Sequence, residues 1–265
     1  MARGNLKTCL PIVLSHEGGW ADHPKDPGGA TMKGVTIGTF AAFKDRKVTK
    51  DELKNISDAD LSAIYKKGYW DKVYGESLQH GVDLATFDLA VNSGPGRAAR
   101  TLQKVVKVKQ DGQIGPVTVT AQAKLRGDDL VKLICSSRMS FLRGLRHWST
   151  FGKGWSRRVA DIEARGVAMW LKAVGTDGGT TLALVDEGER AVASSKKNDK
   201  AAVGTTGVAT GGNVALGTQG FDPTLITVLG VISLLLVLWL LFRGRHDKNR
   251  AEAYSRVVQE IRADR

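Results

Sequence analysis

Glu17 is followed at once by Gly18, Gly19 and Trp20, then by a loop carrying Asp22, Asp26 and Thr31, and then by Val35-Thr36-Ile37. A carboxyl group beside an open, glycine-rich turn, with further carboxylates close behind it, is suited to acid-assisted bond cleavage. Hydrolysis of a glycosidic bond needs a protonated acid next to the leaving oxygen and a second group that activates water or attacks as a nucleophile. Glu17 fits the first role. Leu6, Leu10, Val13, Leu14 and Glu17 share one face of a helix, so the carboxyl group prolongs an apolar stripe and is partly shielded from water. Asp22 and Asp26 compete for the second role, against the plainer reading that each bonds its own backbone turn. Thr36 could position a water through its hydroxyl, or be a simple strand residue.

Other side chains are weaker candidates. Trp20, Tyr65, Tyr69, Trp70, Trp148 and Trp155 could stack on sugar faces, although core packing is the ordinary fate of such rings. Trp20 is the best of them for substrate binding because it adjoins Glu17. Asp88 and Asn92 stand one helical turn apart and either line a cleft or bond helix ends. Ser15-His16-Glu17 is not a nucleophile triad, because consecutive helical residues do not face one another. The remaining histidines and the two cysteines, Cys9 and Cys135, lack metal-ligand spacing, so no metal or cofactor is expected. The cysteines are either two buried thiols or one disulfide.

The elements that must position these residues read as mostly α. The first helix carries Pro11, which must kink it or lie in its first turn, and it ends at Gly18-Gly19. Residues 20–34 form a loop, residues 35–38 a short strand, and Thr39–Lys47 a helix. Ser57, with Asp60 three residues on, opens a helix running towards Tyr69-Trp70. Residues 79–93 are the most apolar periodic stretch of the globular part and predict a buried central helix ending at Gly94-Pro95-Gly96. Helices follow over 97–108, 117–126, 128–147 and 155–173.

Charge is uneven along the chain. Residues 1–174 hold 28 Lys+Arg and 17 Asp+Glu, a net +11 out of +12 for the whole. Such a surface attracts polyanions: nucleic acid, anionic lipid or an anionic cell wall. No recognised DNA-binding motif is present, so nucleic acid is not expected as a partner. Residues 175–221 are rich in Gly, Ala, Thr and Ser and read as a flexible linker. Thr224–Phe242 has no charge over nineteen residues and is followed by Arg243, Arg245, Lys248 and Arg250. That pattern predicts a single transmembrane helix with a basic cytoplasmic flank, and so a membrane-anchored protein whose catalytic domain faces the cell wall; a tail anchor with the domain still inside and a buried core helix are the alternatives.

The string Glu17-Gly18-Gly19-Trp20, Asp22-His23-Pro24-Lys25-Asp26-Pro27-Gly28-Gly29-Ala30-Thr31 and Gly34-Val35-Thr36-Ile37 resembles the N-terminal half of glycoside hydrolase family one hundred and eight, muramidases with a lysozyme-like helical fold. The resemblance continues through Phe87–Gly94, Leu102-Gln103, Asp111–Pro116 and Phe151–Trp155 into a peptidoglycan-binding region. It implies that Glu17 is the catalytic acid. A looser similarity to phage-type lysozymes suggests Glu17, Asp26 and Thr36 as a triad, with Asp22 a rival to Asp26. The expected organisation is a lysozyme-like two-lobed helical domain with a short β element. It comprises a catalytic lobe at 1–94, a peptidoglycan-binding lobe at 95–174, a linker at 175–221, a transmembrane helix at 222–243 and a basic tail at 244–265. The expected activity is N-acetylmuramidase, acting in phage-type lysis, cell penetration by a virion or wall remodelling. A lytic transglycosylase and a non-catalytic, membrane-anchored wall-binding module are the alternatives.

Overall fold

The computed structural model describes residues 2–23, 28–175, 177–215 and 223–264. The chain is mostly helical with one small sheet, as the periodicity predicts. Helix α1, Leu6–Leu14, buries Leu6, Cys9, Leu10 and Val13 and keeps Pro11 on its outer face, so the missing N–H faces away from the core. The helix stops at Leu14, short of Gly18-Gly19. His16 and Glu17 instead sit in a turn whose amides donate to Val13 and Leu14 at 3.1 Å each.

Three two-residue strands follow: β1 (Trp20–Ala21), β2 (Thr31–Met32) and β3 (Val35–Thr36). They form an antiparallel sheet in the order β1-β2-β3, with Trp20 opposite Met32 and Thr31 opposite Thr36. The β2–β3 turn is Lys33-Gly34, with φ of +46° and +76°. Positive φ at both central residues is the hairpin geometry that matches the strands' twist. The strand expected over 35–38 is shorter because Thr36 caps the next helix, α2 (Ile37–Lys44), accepting from the Thr39 amide at 3.2 Å.

Thr49 and Glu52 form a reciprocal capping box on α3, Lys50–Lys54, a short helix the sequence pattern did not reveal. Ser57 caps α4 (Asp58–Tyr65) as its spacing predicts, and a π-helical turn, Lys66–Trp70, carries the chain onward. Helix α5, Val82–Ser93, is buried along most of its length. Around it pack α6 (Pro95–Val105), α8 (Gly127–Arg143) and α9 (Trp148–Ala173), while α7 (Pro116–Ala123) lies against α8. Helix α9 starts before 155. Gly152 is tolerated within it because the Trp148 ring covers the space a Cβ would need, and Trp148, Phe151 and Trp155 stack along its first turns. One hydrophobic cluster runs from Leu6 through Phe87 to Leu171, so residues 1–94 and 95–174 share a core. Cys9 and Cys135 are separate buried thiols.

The C-terminal third departs from expectation. A helix, α10 (Asp177–Ala215), occupies most of the stretch read as a linker. Small residues weaken helix propensity, but tertiary packing overrides such preferences, and α10 lies alongside α11, Pro223–Ala263. The uncharged residues 224–242 are thus the first half of a 41-residue helix whose second half is charged. That second half docks on α9, burying Ala253, Tyr254, Val257 and Val258. Among the described residues no helix is long and apolar enough to cross a membrane. The transmembrane helix, the membrane partner and the membrane-anchored location built on 224–242 therefore do not hold. An uncharged run reads as a span when it is taken alone, and here it continues into the charged half of one helix that docks on α9.

Candidate active site

The turn after α1 places Glu17 where three elements meet. Its Oε1 lies 2.8 Å from Nη2 of Arg158, which α9 brings across from the far half of the chain. Gly34, in the β hairpin, packs against the other side. A Cβ there would stand 3.2 Å from Glu17 Oε2 and 2.5 Å from Tyr65 Oη. The Tyr65 hydroxyl donates to the Lys33 carbonyl at 2.7 Å, which ties α4 to the hairpin.

Gly34, Tyr65 and Tyr69 also line a groove of about 730 Å³, together with Thr39, Phe43 and Lys67. Glu17 stands next to one of those lining residues, Gly34, with Oε1 paired to Arg158 and Oε2 on the side of Gly34. Burial, and then the nearby charge of Glu17, push both tyrosine hydroxyls up, so they stay protonated donors.

Behind Glu17 lies a buried charge network. Asp88, on α5, is fully buried. It accepts from Arg158 Nη2 at 2.7 Å and Nε at 3.0 Å, and from Nη1 of the buried Arg138 on α8. Burial alone would raise the Asp88 carboxyl, but the two guanidiniums more than offset it and hold it below the usual carboxylate range. Burial likewise opposes the charge of Arg158, and Asp88 and Glu17 overcome it. A pair this deep is costly to break, because either partner left alone is an uncompensated buried charge. Asp88 thus fixes Arg158, and Arg158 fixes Glu17.

A second link runs through the neighbouring residue. His16 Nε2 and Asp161 Oδ2 are 3.0 Å apart, and Arg165 Nε approaches the same oxygen at 3.0 Å. Burial pushes the Asp161 carboxyl up, but these partners outweigh it and hold the group low.

The remaining candidates are dispersed. Trp20 lies under the Lys54 ammonium, 5.9 Å from its ring centroid. Asp22 pairs with Lys50 at 2.9 Å, on the side of the sheet facing α3. Thr36 spends its hydroxyl on the α2 cap. Asn92 accepts from Ser93 at 3.1 Å, near the end of α5. Asp26 lies outside the described residues. Arg138 and Arg158 are functional candidates that sequence reasoning missed. Each sits on the buried face of its helix, Arg158 with Ile162 and Gly166 on α9 and Arg138 with Ile134 and Leu142 on α8, a weak signal without knowledge of Asp88.

Comparison with known proteins agrees with this geometry. The family model described as Glycosyl hydrolase 108 matches residues 10–94, which hold Glu17, the sheet, Tyr65 and Asp88. A solved structure of SagA from Brucella abortus is 47% identical, with a TM-score of 0.57, over 63% of this chain and 96% of that one. A search of curated proteins found no match. With nearly the whole of a related structure covered at that identity, and the family model spanning the Glu17 turn, the chain belongs to glycosyl hydrolase family 108 and is a glycoside hydrolase.

Proposed function

We propose that this glycoside hydrolase is an N-acetylmuramidase that cuts the β-1,4 bond between N-acetylmuramic acid and N-acetylglucosamine in peptidoglycan. The observation that carries the reading is the placement of Glu17, held through Oε1 by Arg158 while Oε2 lies next to Gly34, which lines a groove together with Tyr65 and Tyr69. Glu17 is the proposed acid that protonates the leaving glycosidic oxygen, and the two rings offer faces and hydroxyls to sugar. Asp26 is the proposed group that orients or activates the attacking water. The net charge of +11 over residues 1–174 suits an anionic wall, and residues 95–174 are proposed to help hold it. A role in lysis, cell penetration by a virion or wall remodelling would follow from cutting that bond.

The test is mass spectrometry of fragments released from purified peptidoglycan by the full chain and by Glu17→Gln. The expected result is reducing muramic-acid ends from the wild type, reduced about 100-fold or more in the variant. Anhydro-muramic ends would reassign the protein to the lytic transglycosylases. No fragments from the wild type, with wall binding intact in both forms, would overturn the reading in favour of a binding module.

A further inference from the structure

The first turns of α9 carry a group of rings that the fold leaves partly open to water. Trp148, Phe151, Trp155 and Arg158 follow one another at spacings of three, four and three, so they share one face of the helix. The Trp148 indole lies over Gly152, where a Cβ would stand 2.7 Å from it, and is thus pressed against the helix. Between ring centroids, Trp155 stands 6.2 Å from Trp148 and 5.7 Å from Phe151. Both tryptophans are half-buried, whereas Phe151 is 53% exposed. Exposed apolar surface rimmed by polar groups is a mark of an interaction site, and this rim is basic. Arg146, Lys153 and Arg157 are exposed, and none of them has an ion-pair partner among the described residues. Residues 130–160 contain no Asp or Glu to neutralise them. The rings also adjoin the acid. Arg158 pairs with Glu17 at 2.8 Å, and Trp155 precedes it by one turn, which puts their Cβ atoms about 5–6 Å apart. Tyr65 and Tyr69 approach Glu17 by way of Gly34, near Oε2, and the rings of α9 by way of Arg158, at Oε1.

We propose that Trp148, Phe151 and Trp155 form a second sugar-binding surface that holds the glycan strand of the wall on the α9 side of the bond being cut. Ring faces suit the C–H faces of sugars, and the basic rim suits the carboxylates carried by muramic acid and its peptides. The choice of glycan rests on the muramidase reading of Glu17. Rings and cations also suit an anionic lipid surface, but this row leads to the residue that grips the acid. Binding energy gained there on a remote part of a polymer is available to align the bond at Glu17.

The test is binding of the full chain to soluble, uncross-linked peptidoglycan strands, measured in a Glu17→Gln background where nothing is cut. Phe151→Ala is expected to weaken binding about fivefold, and Phe151→Trp, which keeps a ring, to restore it. Because Phe151 is exposed, its unfolding midpoint should match that of the parent, which separates lost contact from lost fold. Trp155→Ala should weaken binding at least as much. In the chain that keeps Glu17, Phe151→Ala should raise KM on the same strands with little change in kcat. Strand affinity equal to the parent in both Phe151→Ala and Trp155→Ala overturns the proposal. So does a loss confined to phosphatidylglycerol vesicles, which would make the rings a lipid contact. Absence of released fragments from the wild type would instead remove the Glu17 reading, while strand binding still decides whether the rings hold glycan.

Discussion

Arg158 Nη2 lies 2.8 Å from Glu17 Oε1, so the proposed acid is gripped by a guanidinium from a helix more than a hundred residues away in sequence. The same nitrogen is 2.7 Å from Asp88, which places the acid's orientation under the control of a fully buried ion pair.

Arg158→Leu should cost about 3–5 kcal/mol of stability, because it leaves Asp88 buried with only Arg138. Arg158→Lys keeps the charge without the two-pronged grip and should recover part of that loss. Urea unfolding of the three proteins measures it, and equal midpoints would show that the network does not support the fold.

Gly34→Ala should damage stability and activity together. Its φ of +76° disfavours a side chain, and the added Cβ would meet the Tyr65 hydroxyl and press on Glu17. The expected cost is about 1–3 kcal/mol, with at least roughly a tenfold loss in the rate of wall-fragment release if the Glu17 carboxyl group is displaced. Thermal unfolding and a fragment-release assay check the two effects separately.

Tyr69→Ala should act on substrate rather than on the fold. The ring is half-buried and lines the groove, beside Tyr65 at 5.6 Å between centroids. Steady-state rates on soluble wall fragments should show a several-fold higher KM with a smaller change in kcat, the sign of an interaction made in both ground and transition states. A fall in kcat alone would point to Tyr69 acting on the acid.

Asp83 should leave a mark on the pH dependence of stability. Burial pushes its carboxyl up to about 6, although Asn5 and the Leu84 amide bond the charged form and pull the other way. The folded state then holds a proton that the unfolded chain has released. Its contribution is full below about pH 4, declines as pH rises towards 6 and is flat above, a span of roughly 3 kcal/mol. His246, held down to about 4, runs in the opposite sense over the same range, so the readout is the difference between wild type and Asp83→Asn. Urea midpoints at pH 4, 5, 6 and 7 should converge or diverge by that slope, and a constant difference would clear Asp83. Asp88 and Asp161, both held low, contribute above about pH 4 and lose that contribution on further acidification.

Much of the site was legible where its cause is local. The apolar stripe of α1, the breakers after Glu17, the Ser57 cap and the buried run of α5 depend on residues a few positions apart, and each element formed near its expected place. Thr36 closes β3, as the strand reading has it, but the sequence does not say which neighbour claims its hydroxyl, and the α2 amide claims it.

The sequence by itself determined that a carboxylate would follow an apolar helix face, ahead of a glycine-rich loop and a short β element, because periodicity and turn chemistry act over a few residues. Only the tertiary structure decided what faces that carboxylate. Arg158 and Asp88 meet because α5, α8 and α9 pack together, and no local pattern announces a buried ion pair between distant segments. The same holds for residues 224–242. Their lack of charge is a property of the sequence, but that they continue into a charged half docked on α9 is decided by tertiary packing.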